Sequence, residues 1–152
     1  MRESIAQDYE SFSSIYHMEG MEYVEPLESY EQFLSYLVNR YPFYGYGMWT
    51  ITEKETGRVI GRAGLEEMEV EGKIYTQLGY LLSEDMRGRG IADQVGKAIL
   101  GYAKDVLYIE EIHVFIHPKN TPSKKLAEKL GFQKMKRVLL QNHEEMELWS
   151  RI

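Results

Sequence analysis

The chain has 152 residues, with 18 Lys and Arg against 24 Asp and Glu, a formal net charge of −6, four His and no Cys. This length suits one domain, 1–152, with a core of its own, and without cysteine there are no disulfides and no thiolate metal sites. No apolar run reaches the roughly 18 residues of a membrane span, the start Met1-Arg2-Glu3-Ser4 has no apolar leader, and an acidic chain is a poor general binder of nucleic acid, so a cytoplasmic protein with neither membrane nor nucleic acid as partner is expected.

Ile5, Tyr9, Phe12 and Tyr16 recur at helical spacing and predict a helix over about residues 3 to 18. Ser29 and Gln32 form a capping-box pair. Behind them Tyr30, Phe33, Leu34, Leu37, Val38 and Tyr41 make the apolar stripe of a second helix, ended by Pro42. The period then changes. Tyr46 to Thr52, Arg58 to Met68 and Ile74 to Leu82 read as an antiparallel meander joined by short polar turns. After Gly90, Ile91, Val95, Ala98, Ile99 and Tyr102 return to helical spacing up to about Lys104. Leu107 to Ile116 is a β-rich run stopped by His117-Pro118. Thr121 offers an N-cap with Pro122 behind it, and Gly131 a stop. Phe132 to Leu140 and Glu144 to Trp149 read as a last hairpin. The order is ααβββαβαββ, a mixed α/β layer structure.

The charge is uneven. Residues 1–37 hold eight acids (Glu3, Asp8, Glu10, Glu19, Glu22, Glu25, Glu28, Glu31) and the single base Arg2, a net of −7, and the rest of the chain is close to neutral at +1. Two amphipathic helices with solvated acidic faces account for this; so does an acidic, Tyr-rich lip beside a binding site.

The most informative segment is Leu81-Leu82-Ser83-Glu84-Asp85-Met86-Arg87-Gly88-Arg89-Gly90-Ile91-Ala92. A strand feeds a turn with two glycines and two arginines, and a helix starts at once. Glycines let successive N–H groups point inward, and a helix N-terminus adds unsatisfied donors and partial positive charge. Arg87 and Arg89 can add charge-assisted contacts to phosphate. The bland alternative is a turn whose glycines merely cap the helix. The segment is not a dinucleotide fingerprint, because Asp93 stands at the third glycine position, and no Gly-Lys-Ser/Thr makes it a P-loop. A second segment, His117-Pro118-Lys119-Asn120-Thr121-Pro122-Ser123, leads into Glu128-Lys129-Leu130-Gly131-Phe132. Asn120 at a helix mouth can bond an amide-rich ligand or simply cap the helix.

Together the two segments resemble the GNAT superfamily of acyl-CoA-dependent N-acetyltransferases. Arg87-x-x-Gly90-x-Ala92 fits one signature of that family, and Asn120-x-x-Ser123 followed by Glu128-Lys129-Leu130-Gly131-Phe132 fits another. The Asn-x-x-Ser form and Asn142-His143-Glu144 are similar to the branch of ribosomal-protein alanine acetyltransferases. The resemblance covers roughly residues 46 to 152. It implies a GNAT-like single mixed sheet of about six strands with helices on both faces, a cofactor-binding body over 46–152, and a helical roof over the acceptor site in residues 1–45. Acetyl-CoA would lie between the strands 74–82 and 107–116. Backbone groups at Tyr80, Leu81 and Leu82 would pair with the pantetheine amides as an added strand does. N–H groups from Gly88 through Arg89, Gly90 and Ile91 to Ala92 would hold the pyrophosphate, with Arg87 beside them. Asn120 would contact the pantetheine arm, and Ser123 would lie near the thioester sulfur.

The implied reaction is direct attack of a primary amine on the thioester, giving an N-acetyltransferase whose acceptor is a protein N-terminal amine or a small cationic amine. It needs a base, an oxyanion donor and an acid for the thiolate. A backbone N–H at Leu81 or Leu82 is the natural oxyanion donor. The Tyr that many members use as acid is replaced by Ala127, which leaves Ser123 as candidate. The strand 74–82 has no carboxylate, so the base falls to substitutes (Glu66, Glu67, Glu111, His113, Glu144) or to a water held by Thr76 or Gln77. Glu111 and His113 would share a strand face. The missing Tyr and strand Glu keep a non-catalytic acyl-CoA-binding module as the alternative. No metal is expected: on a strand His113 and His117 would stand about 13 Å apart, at roughly 3.3 Å per residue, too far for one ion. The family usually opens with a strand, whereas this chain starts almost directly at a helix. The sheet edge would then be bare, and a homodimer could cover it.

Overall fold

A computed structural model describes all residues, 1–152. The strands are β1 (Arg2–Glu3), β2 (Met48–Thr52), β3 (Val59–Val70), β4 (Lys73–Leu82), β5 (Ile112–Ile116), β6 (Gln133–Leu139) and β7 (Glu145–Arg151). The helices are α1 (Asp8–Tyr16), α2 (Tyr30–Tyr44), α3 (Ile91–Asp105) and α4 (Thr121–Lys129), and Glu84–Met86 form one 3-10 turn. The strands make a seven-stranded sheet in the order β1-β2-β3-β4-β5-β7-β6. It is mixed: β4 and β5 are parallel, whereas β1/β2, β2/β3, β5/β7 and β6/β7 are antiparallel. No helix is long and apolar enough to cross a membrane.

The mixed α/β class stands, with a correction to the expected order and strand count. A two-residue β1 precedes the first helix and pairs Arg2 with Thr50 and Glu3 with Trp49, so the strand that looked absent is present in short form. Its anchor is Asp8, 3% exposed. The Asp8 carboxylate takes both Arg2 Nη1 and Nη2 at 2.8 Å, the Ile5 N–H at 2.9 Å and Thr50 Oγ1 at 2.8 Å. Burial pushes its pKa up, but these donors outweigh it and hold it below the usual range.

Other boundaries shift for local reasons. α1 is shorter than its periodicity predicts: Ile5 is exposed and the chain turns into the helix only at Asp8. α2 starts as expected, with both halves of the Ser29–Gln32 capping box formed. It runs two residues past Pro42 and ends at Gly45, whose N–H bonds the Tyr41 carbonyl. The run from Leu107 is not yet strand. Val106 N–H and Leu107 N–H both return to the Tyr102 carbonyl, Tyr108 is left-handed at φ 55°, and β5 begins only at Ile112.

The chain packs as two compact units, Met1–Gly64 with Tyr80–Ile91, and Leu65–Gly79 with Ala92–Ile152. In the first unit Phe12, Ile15, Phe33 and Leu81 form a core, with Tyr9, Tyr16, Leu27 and Leu37 against it. Arg62 is tied into this unit by Glu28 (2.7 and 3.0 Å) and Tyr16 Oη (2.6 Å). In the second unit Val70, Tyr75, Val138, Leu140, Met146 and Leu148 make another core.

Candidate active site

In the first unit β4 ends at Leu82 and delivers the chain to the glycine-rich turn. Leu81 and Leu82 are both buried, and Tyr80 is half-buried. Gly88 and Gly90 have φ of 72° and 76°, and a Cβ built on either would meet nothing within 4 Å. The glycines are therefore required by backbone conformation and not by crowding, and the space beside them is open. α3 begins at Ile91, directly after Gly90, so the free N–H groups of its first turn follow the loop without a spacer.

The two arginines differ. Arg89 is exposed, and no protein group pairs with it. Arg87 is half-buried, and it donates Nε to the Leu82 carbonyl at 3.2 Å and Nη1 to the Glu19 carbonyl at 2.6 Å. Its Nη2 is buried with no partner. Arg87 thus braces the loop from within and leaves its Nη2 unpartnered, while Arg89 is the free cation. The acidic stretch is also partly consumed by the fold. Asp8 and Glu28 are ion-paired, whereas Glu3, Glu10, Glu19, Glu22, Glu25 and Glu31 remain exposed.

In the second unit Ala92 and Asp93 continue the first turn of α3. Asp93 does not present a bare negative charge there, because Lys97 (2.9 Å) and Lys129 (3.3 Å) pair with it, and Lys97 above all holds its pKa low. β4 and β5 share one register pair, Gln77 with His113. His113 is 6% exposed. Its Nδ1 is 2.7 Å from Ser150 Oγ, its Nε2 is 3.4 Å from Glu111 Oε1, and its ring stands edge-on to Tyr75. Burial lowers its pKa most, with Lys73 adding to that and Glu111 opposing, so the ring is neutral near pH 7. A neutral ring satisfies both neighbours when Nε2–H points at the carboxylate and Nδ1 accepts from the Ser150 hydroxyl. Glu111, half-exposed and just ahead of β5, is then the end of the array that meets solvent.

The structure thus brings Glu111 and His113 together, although only His113 lies within the strand. Ser150 went unnoticed in the sequence; its signal exists only once β5 and β7 are aligned, where it faces His113. Asn120 is the N-cap of α4 in place of Thr121, and its Oδ1 accepts from the Ser123 N–H at 3.3 Å. Ser123 is half-buried in the first turn of α4, and Ala127 is 4% exposed one turn on. Glu66 and Glu67 are half-buried on β3, and Glu144 is exposed in the β6–β7 turn.

A family model described as an acetyltransferase (GNAT) domain matches residues 1–133. Protein YkkB of Bacillus subtilis (strain 168) is 27% identical over 95 residues, 62% of this chain and 55% of that protein. The N-acetyltransferase p20 of Bacillus licheniformis is 34% identical over 86 residues, 57% of this chain and 48% of that protein. The chain spans about half the length of these curated relatives in the matched segments. The crystal structure of a ribosomal-protein-S5-alanine acetyltransferase from Vibrio fischeri superposes with a TM-score of 0.81 at 19% identity, covering 99% of this chain and 91% of that one. At that identity the likeness is one of fold.

Proposed function

The chain belongs to the acetyltransferase (GNAT) family, and on that premise we propose that it is an N-acetyltransferase that moves an acetyl group from acetyl-CoA to a primary amine. The observation that carries this reading is the Arg87–Gly90 turn. It has two left-handed glycines with open space beside them, a free Arg89, and the first turn of α3 directly behind. These residues fit a pyrophosphate, because every donor they offer is positive or partially positive and Asp93 is neutralised by two lysines. When bound, acetyl-CoA supplies an activated acyl carbonyl.

The chain's own residues do the rest. Gly88 to Ala92 hold the phosphates by backbone N–H groups, with Arg89 adding a charged donor. Leu81 and Leu82 offer main-chain groups at the end of β4 to the pantetheine arm. Asn120 would offer its amide nitrogen to a bound ligand at the mouth of α4, and Ser123 would hydrogen-bond the departing sulfur, which takes its proton from solvent. Glu111 takes the proton of the incoming amine, directly or through water, with neutral His113 holding its Oε1 and Ser150 holding His113. The acceptor is a cationic amine, either a protein N-terminus or a small molecule. Six exposed acids within residues 1–37 support this by concentrating positive charge near the chain's surface.

The test is incubation with acetyl-CoA and a panel of cationic, neutral and anionic amines, read as CoA release and as product mass. Release with cationic amines is expected. CoA binding without turnover on any amine would favour an acyl-CoA-binding module, for which Ala127 at the usual acid position is the supporting observation. Firm ATP binding with weak CoA binding would overturn both.

A further inference from the structure

Glu147 is 1% exposed in the middle of β7, among the buried neighbours Met146, Leu148 and Trp149. A buried carboxylate at such a place costs more than an apolar side chain of similar size, so packing alone does not account for it. Three groups converge on it. Lys134 Nζ of β6 is 3.0 Å and Lys124 Nζ of α4 is 3.3 Å from Oε2, and Trp149 Nε1 donates to Oε1 at 3.3 Å. Burial pushes its pKa up, but Lys134, Lys124 and Trp149 outweigh it and keep it ionised. Along the sheet Glu147 pairs with Ile116, the last residue of β5, where the chain leaves for α4. Lys124 follows Ser123 directly and lies one turn from Asn120.

We propose that Glu147 is a positioning residue that acts through Lys124 to fix the first turn of α4, and with it Asn120 and Ser123, in the orientation that receives the cofactor's arm. The ligand half of this statement rests on the acetyl-CoA reading above; the structural half does not. The two lysines make the inference separable from plain stability. Both neutralise the same carboxylate, but Lys124 leads to α4 and Lys134 leads to β6.

The experiment compares Glu147→Gln, Lys124→Met and Lys134→Met by CoA titration calorimetry, by hydrogen exchange of the peptide over residues 120–126, and by thermal melting. Glu147→Gln and Lys124→Met are expected to weaken CoA binding about tenfold, the scale of one lost charge-assisted contact. They are also expected to speed exchange at the start of α4 about tenfold. Lys134→Met is expected to change either quantity less than about twofold, whatever it does to Tm. Equal effects from Lys134→Met and Lys124→Met would overturn the proposal in favour of a general structural role. Weaker CoA binding in Lys124→Met with unaltered Glu147→Gln would overturn it in favour of direct ligand contact by Lys124. If the unmodified chain fails to bind CoA, the acetyl-CoA reading falls, and the exchange data still decide whether Glu147 orders α4.

Discussion

Arg87 Nη1 donates to the Glu19 carbonyl at 2.6 Å, which joins the start of the glycine-rich turn to the segment just after α1. The same side chain closes on the Leu82 carbonyl at the end of β4. An arginine that looks, in sequence, like a phosphate ligand therefore commits its Nε and Nη1 to the protein. Arg87→Ala should lower unfolding free energy by about 1–3 kcal/mol, the worth of hydrogen bonds to a charged group. Arg89→Ala should leave Tm unchanged and weaken CoA binding about tenfold. Melting curves and calorimetry on the two variants check this, and a larger Tm loss in Arg89→Ala would contradict it.

Gly90 has a left-handed φ of 76°. Gly90→Val forces a β-branched residue into that region and obstructs the N–H groups at the start of α3. CoA binding should disappear while far-UV circular dichroism stays close to that of the unmodified chain. Intact binding would refute the anion-cradle assignment.

Glu111→Gln removes the carboxylate but keeps the shape of the array. Its kcat should fall about 10²- to 10³-fold with little change in KM for acetyl-CoA, as for loss of a general base. His113→Gln should cost about tenfold, because it only loosens Glu111. Steady-state kinetics at saturating amine distinguishes the two, and a larger loss in His113→Gln would make the imidazole itself the base.

Burial holds the His113 pKa below its ordinary 6.5. The unfolded chain therefore takes up this proton first as pH falls. The resulting stability is complete above about pH 6.5 and declines as pH drops toward the folded value. Tm measured between about pH 7 and 5 should fall, and the slope should be shallower in His113→Gln. The lowered carboxylates Asp8, Glu28 and Glu147 add their own losses, starting from ordinary values of 3.8 to 4.5 and so at more acid pH.

Asp8→Asn keeps a group of the same size but loses the charge that faces Arg2. With Arg2 40% exposed and able to rehydrate, the expected loss is about 2 kcal/mol. Urea denaturation measures it, and an unchanged midpoint would show that β1 is held by its backbone alone.

Much of this molecule is legible in the sequence where a local rule suffices. Ser29 and Gln32 announce the start of α2, and the spacing of Ile91, Ile99 and Tyr102 announces α3. The glycine turn can be read because its positive φ angles demand glycine. What cannot be read depends on contacts between distant residues. β1 is two residues long and carries no alternation; it exists because Asp8 and Thr50 await it. Tyr108 looks like strand by composition, but the carbonyl of Tyr102 holds that segment as a helix-end turn. Arg87 and Arg89 look alike until Glu19 claims one of them. Asp93 reads as a flaw in an anion site until Lys97 and Lys129 are found beside it.

The two ends of the Asn120 amide differ in what they meet. Oδ1 is committed to the Ser123 N–H, and Nδ2 donates to no protein group. One end of this side chain thus starts the helix, and the other is left without a protein partner. An Asp at this position would preserve the first and invert the second, since a carboxylate caps as well as an amide but offers no hydrogen. Exchanging a single atom type would therefore turn the donor at this helix mouth into an acceptor, with the cap left as it was.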